Sequence, residues 1–108
     1  MEKMSKSKYL NEIKVLVEKI HEEAFNSVPK SLVTMPVGLN KLFNNLDKGF
    51  SKETESGAKF IALITSPEMV EYQKDVDILL GELNKEFKSK LFAMIDEQFD
   101  RLKSLERV

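Results

Sequence analysis

Apolar residues recur along this chain with a helical period almost throughout, and the lapses in that period divide it into four segments. In the first, Tyr9, Leu10, Ile13, Leu16, Val17, Ile20 and Ala24 fall within roughly 120° of one another at about 100° per residue. Such a stripe is the core-facing side of a surface helix, expected over residues 7–26. Lys14–Glu18 and Lys19–Glu23 stand off the stripe at i,i+4 spacing, where an ion pair adds a few tenths of a kcal/mol. Ser5 or Ser7 can cap the start, and Pro29 ends the segment.

Residues 27–35 form a connector rich in apolar side chains, among them Val28, Leu32, Val33 and Met35. A loop of this composition gains little in water and is expected to pack across the end of a bundle. Thr34 followed by Pro36 marks the next start, predicting a helix over 36–48 with Leu39, Leu42, Phe43 and Leu46 on one side and Gly49 as its C′ stop. A third helix is expected over 52–65, opened by Ser51 and carrying Glu53 and Glu55 where the dipole favours acids. Its apolar run at 60–64 could also be a buried strand, but a lone strand would find no partner for its ladder.

Ser66-Pro67-Glu68 is the clearest helix start in the chain, and the period then runs to about residue 106. About 40 residues at about 1.5 Å each make a rod near 60 Å, long for so small a domain. Its spacing changes on the way. Met69, Val76 and Leu83 step in sevens, the seam of a coiled coil, whereas Leu83, Phe87, Leu91, Ile95 and Phe99 step in fours and turn about 40° further at each step. The second half is therefore apolar over a wider and rotated face. Either the helix breaks near 85–89 and folds back as a fifth helix, or it continues and its second half meets another protomer. Only Ser89 resembles a turn residue there, and serine is tolerated in helices, so the continuous helix and a homodimer are preferred.

The fold expected is therefore all-α, a single domain over residues 1–108. It is a bundle-like arrangement of four helices, possibly five, with a long C-terminal amphipathic helix that dimerises. Residues 1–5 are expected to be a flexible start.

Composition removes several function classes without choosing one. Seventeen basic residues against eighteen acidic ones do not call for a polyanionic partner. The absence of cysteine rules out disulfides and thiolate metal sites, and a reducing cytoplasm is the default compartment. No apolar run approaches the roughly 18 residues of a membrane span, and Asn11, Glu12 and Lys14 interrupt anything resembling a signal peptide. The bias to Lys over Arg, with frequent Asn and Ile, suggests an AT-rich bacterial or phage genome.

The chemistry-bearing motifs are all incomplete. Lys3-Met4-Ser5-Lys6-Ser7 is identical to the KMSKS signature of class I aminoacyl-tRNA synthetases, which resemble this chain in nothing else: their HIGH motif and βαβ pattern are missing. Glu18-x-x-His21 has the spacing used twice in di-iron carboxylate bundles, but there is one histidine, placed at the edge of the apolar stripe and expected to be partly exposed. His21-Glu22 lacks the second histidine of a zinc protease motif, and the glycines form no phosphate loop. No enzyme and no cofactor are expected.

What remains is a small, non-enzymatic helical protein-binding module of the adaptor, inhibitor, immunity or assembly-chaperone type. Leu91, Phe92, Ile95, Phe99 and Leu102 are the candidate self-association residues. Val28, Leu32, Val33 and Met35 are the candidates for contact with another protein. The alternative is a small nucleic-acid-binding regulator using the Lys-rich N-terminus (Lys3, Lys6, Lys8, Lys14), although arginine, the better base reader, is nearly missing.

Overall fold

The computed structural model describes residues 4–106, and within them every regular element is helical. Four α-helices follow one another: α1 (Lys6–Asn26), α2 (Pro36–Gly49), α3 (Glu55–Ile64) and α4 (Pro67–Glu106), with a single 3₁₀ turn at Lys30–Leu32 between the first two. The segment at 60–64 is helix, and α4 passes through residues 85–89 without a break.

The central element is α1, which packs against each of the other three helices. Its polar cap is Ser5, whose hydroxyl accepts from the Lys8 amide at 3.4 Å. Of the five residues expected to form a flexible start, residues 1–3 lie outside the described residues, while Ser5 holds this cap. α4 runs parallel to α1. Lys6 meets Asp75 at 2.6 Å, Tyr9 meets Tyr72 with ring centroids 5.7 Å apart, and His21 meets Phe87 further along. The other side of α1 is covered by α2 and α3, both running antiparallel to it and placed one after the other. Asn45 of α2 donates to Ser27 at 3.0 Å, while the Tyr9 hydroxyl donates to the Leu63 carbonyl at the end of α3.

Two apolar clusters result. Tyr9, Ile13, Val17, Ile20, Phe60, Val76 and Leu83 fill the first. Ala24, Val28, Val33, Leu42, Phe87 and Leu91 fill the second, where the connector closes the bundle. A chain of rings crosses between them: Phe25 on Phe87, Phe87 on His21, His21 on Phe50 and Phe50 on Phe60, with centroid separations of 4.9, 4.5, 6.0 and 5.1 Å.

The junction between α2 and α3 departs from the sequence expectation. α3 begins at Glu55 and not near residue 52, because Thr54 and not Ser51 supplies the cap. The Thr54 hydroxyl accepts from the Gly57 amide and donates to the Gly49 carbonyl, both at 3.0 Å, and so ties the end of one helix to the start of the next. Only a glycine fits at 57, since a Cβ there would stand 2.1 Å from the Ser51 carbonyl oxygen. Gly49 is the last residue of α2 and does not provide a left-handed stop; no described residue has a positive φ.

Ion pairs between described residues also fall elsewhere than anticipated. They form at Lys6–Asp75, Lys59–Glu55 and Arg101–Glu97. The expected Lys14–Glu18 and Lys19–Glu23 pairs are not among them. All are at the surface, where such pairs contribute about 1 kcal/mol at most.

The outline is elongated. Its extents are 65 × 25 × 16 Å and its radius of gyration is 17.0 Å, against about 13 Å for a compact domain of this size. α4 sets the long dimension and outruns the helices that it packs on.

Candidate functional site

The buried positions of α4 show where its own bundle ends. Val76, Leu83, Phe87, Leu91 and Gln98 are buried; from Phe99 to Leu105 every residue is exposed. Phe92 is 62% exposed, Phe99 49%, Leu102 48% and Leu105 72%, on a side of the helix that the other described residues leave open. Phe92, Ile95, Phe99 and Leu102 follow at spacings of three, four and three residues, which keeps them within about 80° on the helix surface.

The sequence-derived candidates separate accordingly. Leu91 belongs to the core of its own protomer, packed with Phe87 and Leu42, and is not available for self-association. Ile95 is half-buried against that same cluster. Phe92, Phe99 and Leu102 lie open. In the connector, Val28 and Val33 are fully buried and serve to close the bundle, so a partner could reach neither without opening it. Leu32 is half-buried on the same cluster. Met35 is exposed, and so is Val37 beside it at the start of α2. The connector thus folds as its apolar content implied, which removes most of its value as a docking loop.

Of the basic N-terminal residues, Lys3 lies outside the described residues, Lys6 is paired with Asp75, and Lys8 and Lys14 are exposed. The Tyr72 hydroxyl donates to the Met4 carbonyl at 3.5 Å, which ties Met4 to α4.

His21 is a correction. It is only 8% exposed and lies between Phe50 and Phe87, although its place on the apolar stripe implies a partly exposed position at the edge of the core. Its own helix does not bury it; the rings of Phe87 on α4 and Phe50 at the end of α2 do. Burial lowers its pKa below the ordinary 6.5, and the Lys90 ammonium lowers it further. Among the described residues, no group of three or more His, Cys, Asp or Glu side chains is placed to hold a metal ion, so Glu18 and His21 do not form part of one there. No described helix is long and apolar enough to cross a membrane.

Gln98 escaped the sequence reading altogether. It is buried, and its Nε2 is enclosed without a hydrogen-bond partner. Its position seven residues after Leu91 was the available signal, because it continues the buried seam with a polar side chain.

Comparison with known proteins adds nothing to this description: no family model, no curated protein and no solved structure matches the chain.

Proposed function

We propose that this chain is a non-catalytic helical protein-binding module that self-associates through the C-terminal third of α4. The observation that carries this reading is the overrun of α4 beyond its own bundle, with Phe92, Phe99 and Leu102 uncovered on one side. Apolar surface of this kind is stabilised by about 25 cal/mol for each Å² removed from water, and a second copy is the simplest means of removing it.

The spacing favours a second copy over an unrelated partner. The positions 92, 95, 99 and 102 are symmetric about residue 97, so an antiparallel copy of α4 brings Phe92 opposite Leu102 and Ile95 opposite Phe99. A two-fold interface requires this kind of self-complementarity, in which residue i meets j and j meets i. Adaptor, inhibitor, immunity and assembly-chaperone proteins work through surfaces of this type, and the exposed Met35 and Val37 offer a smaller apolar contact for a further protein.

Light scattering on the wild type and on Phe99→Glu tests the reading. The wild type is expected at twice the protomer mass and the variant at the protomer mass, with unchanged helix content. A monomeric wild type would contradict the proposal.

A further inference from the structure

We propose that the cleft between α1 and α4 beside His21 is a binding site for an organic cation, a guanidinium or alkylammonium group with a short apolar stem. The cleft holds about 510 Å³, within the range of small-ligand sites. Aromatic rings form its floor: Phe25 and Phe87 lie 4.9 Å apart, and the His21 ring lies 4.5 Å from Phe87. Ring faces carry the negative side of the aromatic quadrupole and attract a cation lying over them. Glu18 and Glu22 from α1 and Glu86 from α4 line the cleft, three carboxylates against the single ammonium of Lys90.

His21 itself gives the independent reason to look for a ligand. It is more than nine-tenths buried and forms part of the cleft wall, yet its ring nitrogens are not among the enclosed unpartnered atoms, so they stay reachable from the cleft. A neutral imidazole keeps one donor and one acceptor, and both are open to a ligand in the cleft. Burial and the nearby Lys90 both favour that neutral form, which leaves one nitrogen free to accept from a guanidinium or ammonium N–H. The described carboxylates do not converge with His21 in a metal-holding group. The site therefore suits an extended cation, held by ring faces and dispersed carboxylates, better than a point ion.

The cation can arrive as a free small molecule or as the side chain of a bound protein. The cleft shares no residue with the exposed stripe of α4, so the two proposals fail separately.

The test is a titration of the full chain with n-butylguanidinium, following the ring signals of the single histidine by NMR. The expected result is a saturable shift of the His21 signals. The neutral isostere n-butylurea should bind at least about tenfold more weakly, a difference near 1.4 kcal/mol. Glu22→Gln and Glu86→Gln should each weaken binding about two- to fivefold, as exposed charge pairs do, and Lys90→Gln should strengthen it. A capped arginine dipeptide that binds more tightly than n-butylguanidinium identifies a protein side chain as the source; weaker binding identifies a free small cation. An unmoved His21 signal at millimolar n-butylguanidinium, or equal binding of n-butylurea, would overturn the proposal.

Discussion

His21 rests against Phe87 with ring centroids 4.5 Å apart and planes tilted by 39°, a contact that joins α1 to α4 where the two apolar clusters meet. Phe50 approaches the same imidazole edge-on at 6.0 Å, so a group that can be charged stands within a series of phenyl rings.

This placement makes stability depend on pH. The imidazole of the unfolded chain titrates near 6.5, and the folded one below that, because burial first and Lys90 second disfavour its charge. The unfolded state therefore takes up the proton first as pH falls. Stability should decline as pH drops through 6.5 and level off once the folded ring is protonated as well. Urea midpoints at pH 7.5 and 5.5 measure this. His21→Phe should remove most of the difference, and an unchanged slope in that variant would assign the effect to other groups.

Two glycines give opposite outcomes for the same substitution. At Gly38, in the first turn of α2, a Cβ would stand 1.6 Å from the Leu32 carbonyl oxygen, an approach that backbone must give way to. Gly38→Ala should destabilise by about 2 kcal/mol or more, in spite of the better helix propensity of alanine. At Gly81 a Cβ meets nothing within 4 Å on the open side of α4. Gly81→Ala should stabilise by about 0.8–1 kcal/mol. Thermal melts of the two variants compare them directly, and two shifts of the same sign would contradict the packing described.

Gln98 is the last buried position of α4 among the described residues, and its Nε2 has no partner there. Gln98→Met keeps the length of the side chain and removes the unmet donor. It should raise stability by about 1 kcal/mol, the lower end of the cost of a buried unsatisfied group. A loss of stability on denaturant unfolding would mean that the amide finds a partner within its own protomer and would contradict this reading.

The cross-links at the α3–α4 corner should be additive to a first approximation with those distant sites. The Leu63 carbonyl accepts from the Tyr9 hydroxyl, from the Ser66 hydroxyl at 2.6 Å and from the Ser66 amide at 3.2 Å. Tyr9→Phe keeps the ring on Tyr72 and loses one donor, so it should cost about 1 kcal/mol in a urea unfolding experiment. A neutral result would show that the Ser66 hydroxyl and amide satisfy that carbonyl without Tyr9.

Much of this architecture was legible in the pattern of the chain. The bounds of α1, α2 and α4 follow from Pro29, Pro36 and Ser66-Pro67 together with unbroken periods, and these are local signals that tertiary packing had no reason to override. The start of α3 was misplaced because Ser51 and Thr54 are both capable caps, and the choice between them rests on the close approach of residues 49 and 51 to Gly57. The candidate site was legible only in part. The rotation of the apolar face in the second half of α4 located Phe92, Phe99 and Leu102, but periodicity alone could not tell that Leu91 turns inward. The apolar side chains of Val28 and Val33 fit a partner surface and a bundle end equally well in sequence, and in the structure they pack on their own bundle. The cleft at His21 was hidden for a different reason: its parts lie at Glu18–Phe25 of α1 and Leu83–Lys90 of α4, far apart in sequence, and each glutamate by itself reads as part of a solvated face.

The central claim is that a second copy covers the stripe from Phe92 to Leu102. Sedimentation equilibrium of the wild type over a hundredfold range of concentration, beside Phe99→Glu and a control at the other end of α4, Val70→Glu, tests it most directly. Val70 is as open to solvent as any residue of the stripe, at 80%, but lies far from it. The account predicts a dimer for the wild type and for Val70→Glu, and a monomer for Phe99→Glu. A wild type that remains a monomer throughout, or a dimer that survives Phe99→Glu, contradicts it.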